Sequence, residues 1–311
     1  MKKQGLILSL TGGLYTVQCD DKKVLCRAKG SFRKDGIHPM PGDLVTIASE
    51  ETTSPAPDGH EAVICEIATR KNHLIRPMLA NIDTVFLTVA VQKPAPNFFL
   101  IDQFLSILNF HQIQPVLIFT KKELDPARAF TLCEKYRAAG FEAEAVTMHD
   151  PQEARGLIYP HMTGTISALS GASGVGKSTL MQTLFSSLNL KSGSLSKKTE
   201  RGKHTTRQCV LFDISSYLDA NKPRYLADTP GFSLIDIKQF AFDDKDRLAE
   251  TFPEFLPYLG TCKFKKCTHQ TEEGCRIVEA VASGIIDPDR HQSYRQMYQT
   301  MANAKPRYLK K

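Results

Sequence analysis

Gly171-Ala172-Ser173-Gly174-Val175-Gly176-Lys177-Ser178 place three glycines, a lysine and a hydroxyl at GxxxxGK[ST] spacing. In such a loop successive backbone N–H groups turn inward around phosphate oxygens, and the following helix adds its positive N-terminal dipole. Lys177 would then reach the β- and γ-phosphates and Ser178 would give its hydroxyl to Mg2+, with Thr179 next in the same turn. Asp228-Thr229-Pro230-Gly231 closes the strand-like run Tyr225–Asp228. A carboxylate there suits a second Mg2+ contact, and the N–H of Gly231 suits a γ-phosphate. Between the two lies the basic stretch Lys197–Arg207. It reads either as a solvated loop or as a mobile switch, in which Thr205 or Thr206 completes the Mg2+ shell.

A second group of chemically able residues lies further on, as Cys262-x4-Cys267-x-His269-x5-Cys275. Three thiolates and one imidazole close a tetrahedral Zn2+ shell and leave no position open, so one structural Zn2+ is expected. The other five of the eight cysteines, Cys19, Cys26, Cys65, Cys133 and Cys209, are scattered and read as buried free thiols. Lys263, Lys265, Lys266 and Arg276 lie among the ligands and suit phosphate-backbone contact. His291, Tyr294 and Tyr298 suit either base stacking or helix packing, packing being the simpler account.

These groups need a scaffold, and the chain supplies one in three stretches. Residues 1–70 carry short strand patterns at Gly5–Leu10, Leu14–Cys19, Lys23–Ala28, Asp43–Ile47 and Ala62–Ile67, separated by turn signals. Five such strands predict a small antiparallel barrel of OB type, with Glu50–His60 as a long exposed loop. Residues 71–239 alternate strand and helix, an α/β rhythm that predicts a mostly parallel sheet covered on both faces. Its elements are Asp83–Val91, Phe98–Phe110, Pro115–Thr120, Pro126–Ala139, Ala143–Thr147, Gly164–Ser170, Lys177–Leu188, Arg207–Ile214 and Tyr225–Asp228. Residues 240–311 read as helical around the cysteine cluster and end in a basic segment that includes Arg290, Arg295, Lys305, Arg307, Lys310 and Lys311.

Composition sets the bounds. A chain of 311 residues, 41% hydrophobic and with formal charge +7, can build a sizeable core and favours a polyanionic partner such as nucleic acid. The beginning, Met-Lys-Lys-Gln-Gly, lacks the apolar run of a signal peptide, and no apolar run reaches membrane-spanning length. The expectation is a cytoplasmic chain with no membrane association.

Thr120-Lys121-Lys122-Glu123, at the end of a strand, lies upstream of the glycine loop. In GTPases an Asn/Thr-Lys-x-Asp element in that setting reads guanine, and it normally comes last in the chain. Here the base-reading element comes first, then the glycine loop, the threonine segment and Asp228–Gly231. That order resembles a circularly permuted GTPase. With GASGVGKS, RGKHTT, DTPGF, the cysteine–histidine spacing, the preceding barrel and the approach Arg76-Pro77 … Asn81-Ile82-Asp83, nearly the whole chain is similar to the ribosome small subunit-dependent GTPase A (RsgA) family.

The resemblance implies GTP hydrolysis stimulated by the small ribosomal subunit, a part in late subunit maturation and binding to ribosomal RNA. GTP or GDP with Mg2+ is the implied ligand, and a monomer is expected. By position, Lys177, Ser178, Thr205 or Thr206, Asp228 and Gly231 take the phosphate and Mg2+ contacts, and Thr120–Glu123 the base. Two departures bear on the base: Glu123 stands where aspartate is usual, and the second base-contacting element, near Val146-Thr147, is degenerate. Phe232 follows DTPG where a water-orienting glutamine can stand, so His204 is the candidate to orient the attacking water. Two other readings stay open: an RNA-binding assembly factor with nucleotide as a ligand switch, and an ATP-using enzyme.

Overall fold

A computed structural model describes residues 2–34, 36–49, 59–75, 78–186, 209–218, 220–228 and 245–303. The chain forms two compact units. One comprises 1–86, 158–171 and 177–231, the other 87–157, 172–176 and 232–311.

The first unit opens with β1 (Lys2–Thr11), β2 (Leu14–Cys19), β3 (Lys22–Ala28), the short α1 (Gly30–Lys34), β4 (Leu44–Ser49) and β5 (Ala62–Ile67). The strands are ordered β1-β2-β3-β5-β4 and β4 pairs back to β1, so the sheet closes into a barrel as expected, though β3 and β5 run parallel and not antiparallel. Ile7, Val17, Cys26, Val45, Ile47 and Ile64 fill it, because alternate residues of each strand point inward. Arg70 donates to both oxygens of the fully buried Asp43 at 2.6 and 2.8 Å, and pins the barrel's exit to its wall.

The hairpin β6 (His73–Ile75) and β7 (Met78–Ala80) follows, then β8 (Thr84–Ala90), whose seven residues are all buried. Strand β8 runs from the first unit into the second. In the second unit come α2 (Phe98–Phe110), β9 (Gln114–Thr120), α3 (Pro126–Ala138), β10 (Glu142–Val146) and α4 (Pro151–Ile158). Asn97 caps α2 and Asp125 caps α3, each accepting a backbone N–H three residues on. Strands β9 and β10 are parallel, with Thr120 opposite Val146.

The chain returns to the first unit for β11 (Ile166–Gly171), α5 (Lys177–Leu184), β12 (Val210–Asp213) and β13 (Tyr225–Asp228). Strands β11 and β13 are parallel, but β12 runs antiparallel to β13 and meets β1 at one bridge, Ser9 to Val210. The sheet is therefore more mixed than strand–helix alternation implied. Residues 214–224 explain it, because a short 3-10 turn, Ser215–Tyr217, returns the chain with no crossover helix.

The second unit ends in 3-10 turns over 245–258, α6 (Arg276–Ala282) and α7 (Pro288–Ala302). Arg290, counted with the basic segment in the sequence, is 1% exposed at the start of α7. Its guanidinium donates to Asp102 of α2 at 2.6 Å and to both oxygens of Glu254 at 2.6 and 3.1 Å, under the rings of Phe141 and Phe252. Such a charge tolerates burial only with this full set of partners. Tyr294 is buried too, meeting Phe252 and Phe255 edge to face and stacking on His291, so packing accounts for it. Cys19, Cys26, Cys133 and Cys209 are buried free thiols as expected, whereas Cys65 is partly exposed. Among the described residues no helix is long and apolar enough to cross a membrane.

Candidate nucleotide site

The glycine loop has the strand–loop–helix setting its chemistry needs. All six residues of β11 are buried, and the chain then emerges so that Ala172, Ser173, Gly174, Ser178 and Thr179 are exposed while Val175 turns inward. Gly174 and Gly176 take φ of 78° and 101°, where a β-carbon is strained. Lys177 opens α5 and folds back, its Nζ donating to Gly171 O at 2.7 Å, so the ammonium lies over the loop it follows. A helix N-terminus with a cation at its first residue favours an anion.

Asp228 ends β13 opposite Leu169 of β11, two residues before the loop. Burial holds its carboxyl above the ordinary aspartate value, and the charge on Lys177 opposes that shift. A carboxylate so desolvated favours a nearby cation. Cys209 lies against it, its thiol pushed up to about 12 first by burial and then by Asp228.

In the second unit the base-reading candidates come against the middle of the same loop. Thr120, fully buried at the end of β9, places its hydroxyl 2.6 Å from Val175 O and 3.3 Å from Val89 O. Lys121, in the left-handed region at φ 59°, donates from Nζ to Gly174 O at 3.0 Å and to Lys93 O. Thr120 thus acts as a brace between strand and loop, a role sequence reasoning had not given it. Lys122 turns away to pair with Glu153. Glu123 is exposed in the turn that follows, while Asp125 is occupied in capping α3 and accepting from Gln92 at 3.0 Å. Thr147 comes directly after Val146, the strand partner of Thr120, so the degenerate second element does reach the same edge. His204, Thr205, Thr206 and Gly231 lie outside the described residues, as do Arg76 and Pro77.

The cysteine cluster forms as expected. The donor atoms of Cys262, Cys267, His269 and Cys275 all lie within 4.8 Å of one another. His269 Nδ1 is 3.6 Å from Cys262 Sγ and 3.5 Å from Cys275 Sγ, and those two sulfurs are 3.9 Å apart. Tetrahedral bonds of about 2.3 Å to sulfur and about 2.0 Å to nitrogen require roughly these separations. Burial pushes the Cys267 thiol up to about 12, so this sulfur becomes a thiolate only against a cation. Burial also lowers the pKa of His269, which keeps its ring neutral, the form that ligates.

Sequence reasoning passed over the residues that hold this cluster. Glu272 accepts from the N–H groups of Thr268, Gln270 and Thr271 at 2.7, 2.9 and 3.1 Å. Hydrogen bonds from Thr268 and these amides outweigh burial and bring its carboxyl down to about 2. Helix α7 supports the loop from below: His291 Nε2 lies 2.7 Å from His269 O, and Tyr294 donates to Thr268 O at 2.8 Å. The one available signal was an acidic residue set between two ligands.

Comparison with known proteins matches this architecture. The RsgA GTPase model matches residues 67–238, and the RsgA N-terminal domain model residues 4–55. The chain belongs to the RsgA GTPase family. It is 35% identical to a small ribosomal subunit biogenesis GTPase RsgA of Ruminiclostridium cellulolyticum over 98% of this chain and 95% of that one. To its Bacillus cereus counterpart it is 34% identical, over 98% and 99%. Among solved structures it is similar to YjeQ from Thermotoga maritima, with TM-score 0.75, 25% identity and coverage of 98% and 100%. YloQ, described as a circularly permuted GTPase, matches with TM-score 0.75 and 28% identity over 99% and 98%. The enzyme is thus a GTP hydrolase of circularly permuted order.

Proposed function

We propose that this GTPase hydrolyses GTP to GDP and phosphate on the small ribosomal subunit during its late maturation in the cytoplasm. In this reading the subunit stimulates turnover, and the chain acts as a monomer that contacts ribosomal RNA. The names of its relatives, small ribosomal subunit biogenesis GTPases, support the setting. The observation that supports the chemistry is the tie from Thr120 and Lys121 to the carbonyls of Val175 and Gly174 in the glycine loop, where a base-reading element would sit.

Residues 1–70 would serve as the RNA-facing barrel, 71–239 as the catalytic domain and 240–311 as a second RNA-facing module held by one Zn2+. Loop N–H groups from Gly171 to Gly176 and the ammonium of Lys177 hold the β- and γ-phosphates. Ser178 with Thr179 next to it, Asp228, and Thr205 or Thr206 would hold the Mg2+, whose charge would offset that of the phosphates, and the N–H of Gly231 would meet the γ-phosphate. Glu123 accepts from the guanine ring N–H and amine, Lys121 lies along the base and Lys122 screens Glu153. His204 orients water for attack on the γ-phosphorus; the bond to the β–γ bridging oxygen breaks, and GDP leaves with that electron pair.

Two measurements test the reading. GTP and ATP turnover, followed with and without small subunits, should show strong stimulation with GTP alone. Stimulation of neither nucleotide would favour a ligand switch, and equal use of both an ATP-competent enzyme. His204→Ala is expected to keep nucleotide affinity and lose stimulated turnover; unchanged stimulated turnover would remove His204 from the mechanism.

A further inference from the structure

We infer that Phe264, at the tip of the turn between Cys262 and Cys267, is a stacking platform for an unpaired base of single-stranded RNA. Phe264 is 51% exposed, although it sits in a turn that other groups hold rigid. Its carbonyl accepts from Cys267 N at 3.2 Å, and Lys263 N donates to Gly274 O at 3.0 Å. A β-carbon at Gly274 would lie 2.9 Å from Lys263 Cβ, so glycine lets the lysine cross there. Cysteines of the cluster end the turn on both sides. The ring is therefore presented on a fixed frame, which lowers the ordering cost of contact.

The surroundings choose the partner. Lys263, Lys265 and Lys266 are exposed on either side of the ring, and the Lys263 ammonium lies 5.5 Å from its centroid. Glu273 is the acid near Lys263, at a loose 3.9 Å. Lysine is depleted from the centres of protein–protein contacts, whereas an aromatic ring set among lysines is the composition of single-strand RNA grooves. A duplex hides its base faces, so the target is an unpaired nucleotide, with neighbouring phosphates on Lys265 and Lys266.

This inference rests on the ribosomal reading above, and binding measurements separate the two. The full chain is titrated against labelled small ribosomal subunits and against a short oligouridylate, at several salt concentrations. Phe264→Ala should weaken both interactions roughly five- to hundredfold with an unchanged salt slope, and Phe264→Trp should restore them. Lys265→Ala should reduce the salt slope by about one. Zinc content and GTP affinity of each variant should match the parent chain; if alanine disturbs zinc, parental affinity in the tryptophan variant together with weakened binding in Phe264→Leu upholds the assignment. Parental affinity in Phe264→Ala overturns the platform, as does a loss on subunits without one on oligouridylate, which would assign Phe264 to a protein face. No binding of subunits by the parent chain would overturn the ribosomal reading itself.

Discussion

Glu123 carries its carboxylate one methylene further from the backbone than aspartate would, from an exposed turn. Asp125 cannot take its place while it caps α3 and holds Gln92. Each charge-assisted hydrogen bond to guanine is worth about 1.5–3 kcal/mol. Glu123→Ala should therefore narrow the preference for GTP over ATP about 10- to 100-fold and leave pyrophosphate affinity intact, which competition binding with the two nucleotides would show. Asp228 makes a different prediction. Burial raises its pKa, so the folded chain holds that proton more tightly than the unfolded one. Stability from this group falls as pH rises from the ordinary aspartate value through the raised one. Asp228→Asn should raise Tm at neutral pH without nucleotide, the gain fading in acid, and should abolish Mg2+-dependent GTP affinity. Thermal unfolding across pH, with and without GTP and Mg2+, checks both halves.

Helix α7 is the element on which the second unit's C-terminal part depends. Within one turn it offers Arg290 to Asp102 and Glu254, His291 to the carbonyl of His269 and Tyr294 to that of Thr268. Lys135 of α3 adds contacts at 3.0 Å to Asp287 and Asp289, at the same helix start. Arg290→Ala would leave two carboxylates buried without a counter-charge, at a cost of about 3–5 kcal/mol. Arg290→Met combined with Asp102→Leu and Glu254→Leu should recover most of that loss. Urea unfolding followed by tyrosine fluorescence, in a chain with no tryptophan, would measure it. This element also marks the limit of sequence reading. The glycine loop, the barrel strands and the cysteine spacing were legible because each is a local pattern. Arg290 read only as one member of a basic segment, because its partner Asp102 lies 188 residues away. The three-residue strands β6 and β7 and the short α1 and α4 fell below the length at which periodicity can be read.

At the scale of the molecule, the permuted order puts the Thr120–Glu123 segment ahead of the phosphate loop, and one sheet edge gathers Thr120, Val146 and Thr147 although the chain visits α3 between them. Placement of the loop was legible from order alone, whereas the brace from Thr120 to Val175 was not, because a hydroxyl at a strand end has no pattern of its own. Strand β12 has a quieter consequence. Its first residue, Val210, faces Asp228 on one side and Ser9 of the barrel on the other. Three strands there share one ladder of amides, so an opening at any of them frees protons on the others. Nucleotide with Mg2+ at Asp228 should slow deuterium uptake at Ser9 and Val210 together, read by mass spectrometry of the free chain. The barrel would then keep time with the nucleotide through proton exchange, with no hinge between them.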